Sequence, residues 1–490
     1  MKKYITLLFA VAMLSACNDF LEEEVFTEFD PAEFLQDESG IDALLVGAYS
    51  QVEITGFGGA RDYFNILQEF PTDIAWETGG GLERLVVPII NFAWDPSLGF
   101  FNNQYNRYYS AIATANNVLL VADDVQGVDE ASLNRARAEA RFIRGLSYYI
   151  LHNLFGPTPI IEIPAGASLD EIEAIGRETP RATEEEYRGY VEGDLVFAAE
   201  TLEFGGLSSR ANRGNALAVL TKFYLNNKQW TEAAATALQV IEEGGYALFN
   251  DYSTLFAVSG ESNNEFIFRF ECLVGSSQQN VYMPHAFPPN FPIASNWENF
   301  GAQFRTYTAF YETFDEDDVR RALFVSEYTP TTSGELTPLD RDADGNPLDN
   351  VRSFKFIPDP DAQGRFNGND IPFIRLADIL LVRAEALNEL SGPNQESIDL
   401  INQVRERVSA SVVSLGDFGS QEALRDFILA ERGRELYTEG VRREDLIRHG
   451  SFIQQAIDRG KNAQPHQVLY PLPQAQLDNN PNLVQNPGYE

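Results

Sequence analysis

Apolar residues recurring at three- and four-residue steps constrain this chain more than any other feature. In Ala131 to Phe155, "ASLNRARAEARFIRGLSYYILHNLF", the residues Leu133, Ala136, Ala140, Ile143, Leu146, Ile150 and Leu154 fall on one helical face. Gly156-Pro157 then stops the helix. Tyr105 to Ala122 also reads as helical, so the two pair as a hairpin. A second hairpin spans Asn215 to Gly244. Its small Ala216 and Ala233 let two helices approach closely, Asn226-Asn227 make the turn, and Trp230 plugs the interior. A third is "IRLADILLVRAEALNEL", a break at Ser391-Gly392-Pro393-Asn394, then "ESIDLINQVRERV". The fourth runs from Glu422 through Ala430-Glu431-Arg432 to His449-Gly450. Hairpins in both halves predict a mainly α, curved helical scaffold.

Between about Tyr246 and Asp370 the character changes. "SSQQNVYMPHAFPPNFPIASNWENF" has no helical period, while "NEFIFRFE" alternates like a short strand. A long irregular excursion in a compact domain is usually functional or disordered, and the aromatic density here argues for order. The chain therefore divides into residues 37–245, a helical region; 246–370, a loop-rich excursion that carries the ligand; and 371–490, a second helical region. The two helical regions and the excursion are expected to form one compact unit.

The first residues have the anatomy of a secretory signal: Lys2 and Lys3, an apolar run from Ile5 to Met13, then Ser15 and Ala16. The run is too short to span a bilayer. Leu-Ser-Ala-Cys, ending at Cys17, resembles the lipobox of bacterial lipoproteins. That likeness implies removal of residues 1–16, lipidation of Cys17, and an acidic tether over 17–36. Several acyl chains, at ~0.8 kcal/mol per buried CH₂, anchor firmly where one would not. The plainer alternative is an ordinary signal peptide with an incidental cysteine. Asp19, Glu22, Glu23 and Glu24 resemble the tag that sends Bacteroidota lipoproteins to the outer cell face.

Cys272 is the one remaining cysteine, so no internal disulfide is expected. The net charge is −37, and loss of Lys2 and Lys3 brings it to −39, with 34 basic against 73 acidic side chains. Such a charge repels nucleic acid and anionic membrane surfaces. The four histidines (His152, His285, His449, His466) show no metal spacing, and neither a G-x-S-x-G nor a P-loop is present. Glu431 and Glu435 stand at i, i+4 among Arg432, Arg434, Arg442 and Arg448. A glycosidase pair must flank its bond across a cleft, roughly 5–9.5 Å apart. Carboxylates stacked on one helix fit an ion-pair network better than acid–base catalysis. In "DRDADGNPLD", Asp340, Asp342, Asp344 and Asn346 surround Gly345 like the first half of an EF-hand loop, which suggests a structural Ca²⁺. Val351 stands where the bidentate glutamate would be, so a solvated acidic turn is the alternative.

The second hairpin resembles a tetratricopeptide repeat, although its period is not sustained. "FIRLADILLVRAEALNEL", "INQVRERV", "ERGRELYTEGVRREDLIRHG" and "YPLPQAQLDNNPNLVQNPGY" resemble the successive C-terminal signatures of the SusD/RagB family. "ARFIRGLSYYILHNLFGPTP" is similar to its N-terminal helix. The resemblance implies tetratricopeptide-like helical pairs carrying a loop-rich ligand face. It implies a surface lipoprotein of the outer membrane that captures glycans, sometimes peptides, and caps a SusC-like TonB-dependent transporter. Two departures stand out: Arg443 where a tryptophan is expected after Arg442, and Gln476-Leu477 for Glu-Ile. Sugar capture needs ring faces for pyranose C–H groups and side chains for hydroxyls. Trp76 and Trp297 sit in glycine- and asparagine-rich loops and are the leading stacking residues, with Tyr282, Phe287 and Phe291 as neighbours. Trp230 reads as core and Trp94 as ambiguous. The expected function is non-catalytic glycan capture. A peptide-binding member of the same family is the alternative, and a surface hydrolase has no motif behind it.

Overall fold

A computed structural model describes residues 37–52, 62–77, 80–206, 210–275, 279–301 and 303–489. The signal, Cys17 and the tether lie outside the described residues. Each predicted hairpin is present. The helix Glu130–Phe155 begins where the Asp129 carboxylate accepts the N–H groups of Ala131 and Ser132. It ends at Gly156, whose φ is 71°. It packs against Gly99–Asp124, Glu184–Thr201 and Glu38–Val52. The second pair, Arg213–Asn226 and Trp230–Glu243, opens with a reciprocal cap between Asn212 and Asn215. Ala216, Ala233 and Ala237 are fully buried, and the Thr221 and Thr236 hydroxyls meet at 2.8 Å. Trp230 is half-buried at the edge of the core rather than inside the hairpin, because it is the first residue of its helix. Leu376–Ser391 packs against Trp230–Glu243, Gln395–Arg407 and Gln421–Leu436.

The strand Phe266–Phe270 pairs antiparallel with Ile371–Arg375, so the long excursion is clasped at its base. A second antiparallel pair, Ala75–Glu77 with Phe304–Thr306, ties an N-terminal loop to the excursion. One apolar cluster runs from Ile41 through Leu146, Leu220, Phe268 and Phe304 to Tyr470. The excursion thus shares the scaffold's core. Two-residue ladders, Phe324–Val325 with Arg352–Ser353 and Glu327–Tyr328 with Thr337–Pro338, shape its outer turns.

Buried charge joins the excursion to the scaffold. Glu431 and Glu435 are fully buried on Gln421–Leu436. Glu431 accepts from Arg320 at 2.7 Å, from Arg434 at 2.8 Å, and from Arg405. Glu435 accepts from Arg320 at 2.9 Å, from Arg375 at 2.5 Å, and from Arg407. Arg375 continues to Glu265 and Glu439, and Lys355 meets Glu439. The expectation of an ion-pair network is met, but its chief cations come from Arg320, Arg375, Arg405 and Arg407, all far away in sequence. A second group links Arg432 to Asp378 and Asp445, and Arg448 to Asp445 and Glu385.

The two departures from the family signatures are also explained. Arg443 is fully buried, donates to the carbonyls of Asn153 and Val468, and lays its guanidinium 4.4 Å from the Tyr470 ring centroid. A planar cation on an aromatic face fills the position a ring would take. Gln476 donates to the Asn102 and Asn106 side-chain oxygens. In the same signature, Gly440 has φ 70°, and a Cβ there would lie 2.3 Å from the Phe64 ring. Only glycine fits.

Candidate functional site

Three of the predicted aromatic residues form one stack. The Phe287 ring lies between Phe291, with centroids 5.7 Å apart at 17°, and Trp297, at 5.6 Å and 12°. Phe354 meets both phenylalanines edge-on. Trp297 donates its indole N–H to the Asp359 carbonyl at 2.8 Å. Backbone bonds from Glu298 to Gly364 and from Gly364 to Asn296 lock the loop to the segment after residue 359. Asn296 donates to the carbonyls of Pro360 and Ala362. The indole is therefore fixed at the end of a stack. One face lies on Phe287, no other ring touches it among the described residues, and the residue is half-buried. Phe291 closes the other end, 6.0 Å from Tyr328.

Two predicted site residues take a different role. Tyr282 is 6 % and Phe287 2 % exposed. Tyr282 packs on Phe304 at 5.2 Å and on Phe356 at 5.5 Å, away from the stack. Both are core. An aromatic ring buries roughly 150–250 Å², so a loop passing over an apolar core gains by turning its rings inward. Phe287 supports the platform from beneath.

Trp76 belongs to a separate cluster. Arg305, its partner across the Ala75–Glu77 and Phe304–Thr306 pair, holds its guanidinium 5.0 Å from the indole, and Tyr307 stacks on it at 6.1 Å and 20°. The indole N–H donates to the Asp349 carbonyl at 2.8 Å. Less of this indole is left for a ligand than its loop position suggested. Among the described residues no ring contact joins Trp76 to the Trp297 stack. Sequence reasoning missed Arg305, Tyr307, Tyr328 and Phe354. The alternation in "FRTY" placed Arg305 and Tyr307 on one strand face, but their partner is more than two hundred residues away.

The three aspartates of the acidic loop do not gather. Asp342 accepts the backbone N–H groups of Asp344 and Asn346 and the Asn346 side-chain amide. Those hydrogen bonds, that of the Asn346 side chain foremost, hold its pKa below the usual carboxylate range. Asp340 accepts the N–H of Arg341. Among the described residues no group of three or more His, Cys, Asp or Glu side chains is placed to hold a metal ion. In this structure the loop is a tight turn in which the Asp342 carboxylate accepts three hydrogen bonds from Asp344 and Asn346. Replacing Asp342 by alanine should open this hairpin and speed its proteolytic nicking, with or without calcium. A calcium heat by calorimetry that the same substitution abolishes would restore the metal reading.

A cavity of about 550 Å³ also lies among Tyr109, Ile112, Ile161, Leu169, Ile172 and Leu483. None of the predicted site residues lines it.

The comparisons with known proteins agree with this architecture. The SusD family profile matches residues 301–489, and one described as starch-binding associating with outer membrane matches residues 19–225. A prokaryotic membrane lipoprotein lipid attachment site matches residues 1–18, which contain Cys17. A SusD-like protein of Formosa agariphila is 27% identical over the whole of both chains. The starch-binding protein SusD of Bacteroides thetaiotaomicron is 24% identical, also over the whole of both. A laminarin-binding SusD-like protein superposes with a TM-score of 0.75 at 25% identity, covering 93% of this chain and 100% of its own. A SusD homolog from Bacteroides thetaiotaomicron superposes with 0.78 at 23% identity, covering 94% and 99%. The chain belongs to the SusD/RagB family of non-catalytic binding proteins and is an outer-membrane-associated lipoprotein.

Proposed function

We propose that this protein captures an oligosaccharide at the cell surface, without altering it, and delivers it to a SusC-like TonB-dependent transporter. The observation that carries the reading is the Trp297 platform: a half-buried indole, held by its N–H and backed by Phe287, in a loop locked to its neighbours. Ring faces of this kind meet the C–H faces of pyranoses, and rigid placement lowers the ordering cost on binding. The names of the relatives, starch-binding and laminarin-binding, support a glycan over a peptide. Lipid on Cys17 would hold the body at the membrane, with residues 17–36 as its tether. The helical regions 37–245 and 371–490 would supply the scaffold and 246–370 the ligand face. Glu431 and Glu435, whose spacing on one helix did not suit a glycosidase pair, are fully buried and paired with guanidinium groups.

The test is a polysaccharide panel by affinity electrophoresis, with product analysis of each incubated sugar. Retardation by at least one glycan with no shortened product is expected. Released fragments would make the protein a hydrolase, and binding confined to peptides would move it to the peptide-binding branch.

A further inference from the structure

We infer that the glycan taken by this site is uncharged, and that sulfated and uronate-rich polysaccharides are excluded; this rests on the glycan-binding reading above. Local charge sets this preference. Salt screens charges beyond about 8 Å at physiological ionic strength, so the groups around the platform matter more than the chain's total. Across residues 246–370 there are eight arginines and lysines against nineteen carboxylates.

Nearly all of the eight cations are committed. Arg320 and Lys355 are buried in the network with Glu431, Glu435 and Glu439. Arg352 is buried and donates to the Phe304 carbonyl and to Asn350. Arg269 pairs with Asp370, and Arg341 with Glu312. Arg321 lies over Tyr311 and Arg305 over Trp76. Arg365, over Phe366, is exposed and has no ion-pair partner among the described residues.

Beside the platform two exposed carboxylates, Glu298 and Asp361, stand against one exposed cation, Arg365, which follows Gly364. Glu298 follows Trp297 and is exposed, with an oxygen 3.7 Å from where a Cβ on Gly364 would sit, and that glycine bridges to Trp297. Asp361 is exposed two residues after Asp359, whose carbonyl holds the indole. Recognition of sulfate or carboxylate needs arginine or lysine in reach, preferably a bidentate fork. Carboxylates instead accept hydrogen bonds from sugar hydroxyls and repel anionic substituents.

The experiment is a matched pair: a neutral glucan retained by the full-length protein and the same backbone carrying sulfate esters, titrated at low and moderate salt. At least tenfold weaker binding of the sulfated form is expected, with the gap narrowing as salt rises. The double variant Glu298→Gln, Asp361→Asn should narrow it at low salt. Arg365→Ala should leave neutral binding within twofold. A sulfated or uronate polymer bound as tightly as its neutral counterpart, more weakly at high salt and lost in Arg365→Ala, overturns the inference and leaves the glycan reading intact. Failure to bind any glycan removes both.

Discussion

Replacing Glu435 by glutamine is expected to destabilise the fold by about 3–5 kcal/mol, since removing one partner leaves the other buried charges uncompensated. Glu435 has no exposure and receives hydrogen bonds from Arg320, Arg375 and Arg407. Glutamine keeps the volume and removes the charge that those three guanidinium groups share. At roughly 2.1 cal/mol/K of unfolding entropy per residue, a chain of this size would lose about 3–5 °C in Tm. Glu173→Ala is the control. Its pair with Arg177 leaves both side chains more than 60 % exposed, and such pairs contribute at most about 1 kcal/mol. Equal Tm values for the two variants would dismiss the network as a stabilising clasp.

The same network fixes the pH response. Burial pushes Glu431 upward, but Arg320, Arg434 and Arg405 hold it down at about 2. Lys222 and Arg432 do the same for Asp378, also at about 2 against burial. Their stabilisation is full above the unfolded carboxylate range, near 4, and is lost as pH falls through about 2. Glu69 and Glu261 act in the opposite sense. Burial raises both to about 8, so their contribution is present below about 4 and is lost as pH rises to 8. Thermal stability should peak at mildly acidic pH and fall steeply below about pH 4.

The second large effect is on binding. Trp297→Ala should weaken the glycan by roughly ten- to a hundredfold, or about 1–3 kcal/mol, the value of burying one aromatic face. Trp76→Ala should cost less, because Arg305 and Tyr307 already occupy the surroundings of its indole. Calorimetry on the two single variants separates these outcomes. A glycan held equally well by Trp297→Ala and wild type would keep the function and discard the platform. Phe287→Leu provides an internal check. Phe287 is only 2 % exposed, so a loss of affinity would pass through the rings stacked on it, Trp297 and Phe291.

The sequence by itself determined the helices and their ends. Periodic apolar faces, with Gly156 and Gly392 as stops, act within a few residues, and local chemistry is enough to write them. It also placed Glu431 and Glu435 on one turn, where they fit an ion-pair network better than a catalytic pair. Tertiary structure alone decided which rings face the solvent. Tyr282, Phe287 and Trp297 look alike in an aperiodic loop, and only the position of Phe304, Phe356 and Phe291 sends the first two inward and leaves the third at the end of a stack. It likewise decided the fate of charge. The hydrogen bonds that Asp342 accepts from Asp344 and Asn346 are visible only in the folded loop. Arg320 and Arg375 gave no sign of meeting Glu435, more than fifty residues on, because a salt bridge depends on distance in space and leaves no period in the chain.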